Sequence, residues 1–90
     1  MKEEIFLREL ANRIKIARKR SGKSQLEVQD DTGINIARIE QFATSIHLFT
    51  YFRLCKYLDI SPEEIIKQVD NNLAFTYAGV IARSWKVVYL

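Results

Sequence analysis

Apolar residues return every three to four positions through most of this chain, which is the spacing of a helix rather than a strand. Phe6, Leu10, Ile14 and Ala17, with Ile5 and Leu7 beside them, predict a first helix over about residues 2–20. Gly22 is placed to end it with a left-handed residue. Ser24 followed by Glu27 is a capping-box pair, so a second helix is expected to start at Ser24, with Leu26 and Val28 as its apolar positions. Gly33 ends it and permits a tight turn. A third, short helix is expected to begin near Asn35, a residue type that caps helix starts well. Ile36 and Ile39 would face inward, Ile34 would sit in the turn, and Ala37, Arg38 and Gln41 would face outward.

Residues 44–47 read as a loop. A fourth helix is expected over about residues 49–58, with Phe52, Leu54, Cys55 and Leu58 as core. Ser61, Pro62, Glu63 and Glu64 then give an N-cap, a proline at the first helical position and acids in the first turn. Ile65, Ile66 and Val69 would form the apolar face of helix five. Asn71 and Asn72 interrupt that pattern. Residues 73–77 and 80–90 are aromatic and β-branched, with Gly79 between them, and read as strand-forming. The chain thus divides into a helical domain, 1–70, and an apolar tail, 71–90. The tail is too apolar to stand free in solvent. It is expected on the outside of the bundle or across a dimer partner, as a candidate dimerisation segment.

Ninety residues suit one small core, and a hydrophobic content of 48% marks a folded chain. The net charge of +3 says less than its distribution. Residues 13–23 carry six cations (Arg13, Lys15, Arg18, Lys19, Arg20, Lys23) and no acid. Residues 24–41 set Glu27, Asp30, Asp31 and Glu40 against Arg38 alone. Cys55 has no partner for an intrachain disulfide, which fits a reducing cytoplasm. Neither a signal peptide nor a membrane-spanning run is readable. His47 lacks companions at ligand spacing, so no metal is expected. There is no paired-carboxylate site, nucleophile triad or phosphate-cradling glycine loop. The expectation is a non-enzyme without cofactor or small-molecule ligand.

Two short helices around one glycine turn, beside a cationic stretch, suggest a helix-turn-helix that binds DNA. Ile14, Ala17, Arg18, Gly22, Ser24-Gln25, Val28, Gly33-Ile34, Ile36, Arg38-Ile39-Glu40, Leu54, Leu58 and Ile60-Ser61 resemble the lambda-repressor-like (Cro-type, Xre) family of prokaryotic and phage regulators. The resemblance covers about residues 8–68. It implies an all-α, five-helix bundle, here followed by a short β or extended C-terminal segment. It also implies sequence-specific binding of double-stranded DNA, usually as a homodimer, by a transcriptional regulator with helix three in the major groove. It implies that Glu40 pairs with Arg18. Four features depart from the family pattern: a shorter interval between Gly33 and Arg38, Phe42 in place of a glycine, Ala43 in place of a basic residue, and the acids Asp30-Asp31.

The candidate base-contacting residues are Gln25, Asn35, Ala37, Arg38 and Gln41. A glutamine can bond adenine or a phosphate oxygen, and an arginine can bond guanine or phosphate. Arg38 could instead bridge to an acid such as Asp31. The candidate phosphate contacts are Arg18, Lys19, Lys23, Thr44 and Ser45. A dimeric repressor is the leading reading. The alternative is a protein-interaction module on the same fold with weak or no DNA binding.

Overall fold

The computed structural model describes residues 2–73. They form an all-α bundle: α1 Glu3–Arg20, α2 Gln25–Thr32, α3 Ile36–Phe42, α4 Leu48–Tyr57, and α5 over residues 62–73. No strand occurs among the described residues. The strand-like reading of residues 74–90 lies outside them.

Local chemistry sets the boundaries. Ser24 accepts from the Glu27 N–H at 3.0 Å while the Glu27 carboxylate accepts from the Ser24 N–H at 3.2 Å, so the capping box is complete. Gly33 closes α2 at φ 74°, a conformation glycine adopts without a Cβ penalty. Thr32 then staples the turn: its hydroxyl donates to the Val28 carbonyl and accepts from the Ile34 N–H. Asn35 caps α3 by accepting from the Arg38 N–H at 3.1 Å. At the far end of α3 the left-handed residue is Ala43, φ 49°, so Phe42 stays helical. Ser61 caps α5 through the Glu64 N–H.

The core runs along the helical stripes. Ile14, Val28, Ile36 and Val69 are fully buried, and Leu54, Cys55 and Ile65 nearly so. α3 packs against both α1 and α2. Burial pushes the Cys55 thiol up from its ordinary pKa. Tyr51 is buried in the same core, and its hydroxyl donates to the Pro62 carbonyl, joining α4 to α5. Burial raises its pKa as well.

Four expectations need correction. Phe52 is 45% exposed, not core; Tyr51, one position earlier, takes the inward place. Leu26 and Ile66 face outward. α4 begins at Leu48 and ends at Tyr57. Asn71 and Asn72 do not break α5, because Leu73, four residues after Val69, still has core to cover. The drawn boundary at residue 70 therefore falls inside a helix.

Leu73 is a test of that extension. Replacing a buried leucine by alanine costs about 2–3 kcal/mol at a site that partly relaxes. Urea unfolding of Leu73→Ala, followed by circular dichroism, should show that loss; a change near zero would place residue 73 outside the core.

Candidate nucleic-acid interface

The centre of the helix-turn-helix is an ion pair. Arg18 on α1 is 8% exposed. Its Nε and Nη2 donate to the two carboxylate oxygens of Glu40 on α3, at 2.7 and 2.9 Å. Its Nη1 donates to the Lys23 carbonyl at 2.9 Å, which ties down the α1–α2 turn. The Glu40 carboxylate raises the Arg18 pKa further, so the guanidinium stays charged. Gln25 in the first turn of α2 donates from Nε2 to Glu40 Oε1 at 3.2 Å. One carboxylate thus joins α1, α2 and α3. The pairing implied by the resemblance is present. Arg18 accordingly leaves the phosphate-contact set, since it is buried and three of its five N–H groups are committed inside the bundle.

The outward face of α3 is open. Asn35, Ala37, Arg38, Gln41, Phe42 and Thr44 line one shallow concavity. Five of these are predicted site residues. Asn35 uses Oδ1 as the cap, which leaves its amide N–H groups for a ligand. Arg38 is exposed, and its guanidinium has no carboxylate partner among the described residues. Asp31, the acid suggested for it, instead accepts from the Tyr57 hydroxyl. That bond pushes the Tyr57 pKa up to about 12. Gln41 and Ser45 are exposed, and Thr44 is half-buried. Ser45 does not line the concavity. Gln25 lies apart from it and connects to α3 through Glu40.

The cations divide. Lys19 is exposed and without a carboxylate partner. Lys23 is half-buried, with Nζ 5.6 Å from the centre of the Tyr57 ring, a cation–π distance. It lies in a separate depression with Ala17, Arg20 and Leu58, not on the α3 concavity. Arg53 was not singled out from the sequence. Its guanidinium donates to the Thr32 carbonyl at 2.7 Å and so caps the end of α2 from α4. Its position in α4 carried no signal of that role.

Among the described residues no group of His, Cys, Asp or Glu could hold a metal ion, and no helix is long and apolar enough to cross a membrane. No family model matches this chain, and neither a curated protein nor a solved structure matches it.

Removing one member of a desolvated ion pair strands the other charge, so Glu40→Ala should destabilise the bundle by about 3 kcal/mol. The double replacement Arg18→Met with Glu40→Leu removes both charges and should cost less than that. Chemical denaturation of the two variants decides it; a double variant as unstable as the single one would mean that lost packing, not the stranded charge, sets the penalty.

Proposed function

We propose that this protein is a sequence-specific DNA-binding regulator of transcription, acting in the cytoplasm as a homodimeric repressor on paired half-sites. It is a binding protein and not an enzyme. The observation that carries the reading is the exposed, uncompensated Arg38 among Asn35, Ala37, Gln41 and Thr44 on the open face of a helix that packs against α1 and α2. Those residue types are the ones that recognise base edges and backbone: arginine for guanine, asparagine and glutamine for adenine, threonine for phosphate. The resemblance of residues 8–68 to lambda-repressor-like regulators supports the same reading.

In this reading α3 enters the major groove. Arg38 and Gln41 read bases, Asn35 and Ala37 lie against the base edges, and Gln25 bonds the flanking backbone or base from α2. Lys19, Thr44 and Ser45 hold phosphates. Lys23 is the weakest member of that set, because its ammonium sits over Tyr57. A homodimer would supply the two-fold symmetry that matches half-sites about 34–36 Å apart.

One observation favours the protein-interaction alternative. Phe42, 63% exposed, borders the same concavity, and a bare aromatic beside an arginine is also what a protein interface presents.

Sites selected from a random duplex library decide between the two. On such a site Arg38→Ala should weaken binding by about 1–3 kcal/mol and change random-duplex binding less. Equal losses on both would reduce Arg38 to a phosphate contact. Neutralising Lys19 should flatten the slope of log K against log salt by about 0.9. No enriched site together with a flat salt dependence of the parent chain would discard DNA as the ligand.

A further inference from the structure

An exposed apolar face lies away from α3. Phe6 and Leu10 of α1, Leu48, Tyr51 and Phe52 of α4, and Ile66 of α5 line a groove of about 660 Å³. Its walls are open: Leu48 is 70% exposed, Phe52 45% and Ile66 41%. Its polar contribution comes from the α5 start, where Glu63 stands on the rim. Contiguous apolar surface of this kind marks a docking face.

We propose that the groove is the seat of this chain's own C-terminal segment, residues 74–90, folded back onto the bundle that carries it. Three observations on the chain favour this occupant. The first is composition. Phe75, Tyr77, Val80, Ile81, Trp85, Val87, Val88, Tyr89 and Leu90 form an apolar series that needs a partner surface, and the groove offers one on the described bundle. The second is charge. The segment carries Arg83 and Lys86 and no acid, opposite a rim that carries Glu63.

The third is reach. Leu73 is buried in the core, and Ile66 on the groove wall belongs to the same helix. The two positions are seven residues apart, about 10 Å at 1.5 Å per residue. The segment that follows Leu73, residues 74–90, is long enough to cover that distance, at up to about 3.3 Å per residue when extended. Tethering sets the effective concentration of the segment at about millimolar, well above that of a second copy at micromolar protein.

Trp85 is the single tryptophan of the chain and lies within the segment, so its fluorescence reports the contact directly. In the full chain its emission should be blue-shifted relative to the urea-unfolded chain, and the shift should not change on dilution. Phe52→Glu and Ile66→Glu should each move the emission toward the unfolded value while the helical circular dichroism is kept, since both positions are exposed. Leu48→Glu, at the most open wall position, serves as the third variant if either loses helix. Leu26→Glu, on the exposed face of α2 and off the groove, should leave the emission where it is. The proposal fails if the folded parent emits like the unfolded chain, or if the groove variants leave the emission unchanged. It also fails if the blue shift appears only as concentration rises and sedimentation shows a dimer, since a second copy then fills the groove.

Discussion

A guanidinium removed from water must find a carboxylate and satisfy its remaining donors, and the whole helix-turn-helix is arranged around that demand. Arg18 meets it with both oxygens of Glu40 and the carbonyl of Lys23. Apolar contacts among Ile14, Val28, Ile36 and Ile39 hold the helices together, but such contacts have little directional preference. The fork of Arg18 adds direction. It fixes how far α3 is turned about its own axis and therefore which side of α3 meets solvent. A pair of this kind contributes more to geometry than to net stability.

α4 closes the arrangement from the other side. Arg53 donates to the Thr32 carbonyl at the end of α2, the Tyr57 hydroxyl donates to the Asp31 carboxylate, and the Tyr51 hydroxyl reaches across to Pro62 at the start of α5. The short α2 is thereby held at its C-terminal end by α4, and α3 is held near its own C-terminal end by Arg18 of α1 through Glu40. Helices of 8 and 7 residues are too short to persist alone, so these end contacts account for their definition as much as their own sequences do.

Most of the fold was legible because its punctuation is strong. The Ser24–Glu27 box, Gly33, Asn35 and the Ser61-Pro62 start each act through backbone groups within three or four residues, so the sequence displays them directly. The errors fall where the decision is tertiary. Phe52 and Tyr51 are adjacent and both aromatic; which one turns inward depends on the carbonyl of Pro62, a partner the local sequence does not announce. Asn71 and Asn72 are poor helix formers, yet helix continues through them because burial of Leu73 outweighs their propensity. At the candidate interface, the outward set on α3 was readable from its 3.6-residue period. The roles of Arg18 and Lys23 were not derivable from charge alone, because a cation's duty depends on which acid or ring the fold brings within reach.

Cys55 has a further consequence for how the molecule meets its surroundings. It is the single cysteine of the chain, 1% exposed, with burial holding it as the neutral thiol. Oxidants and alkylating agents attack the thiolate at an accessible sulfur. The Cys55 thiol of the folded protein is therefore nearly inert to peroxide and alkylating agents, and it is reached only through opening of the α4 core. Chemical ageing at this thiol is thus governed by the opening equilibrium: a population of molecules records exposure at Cys55 in proportion to the time each has spent open.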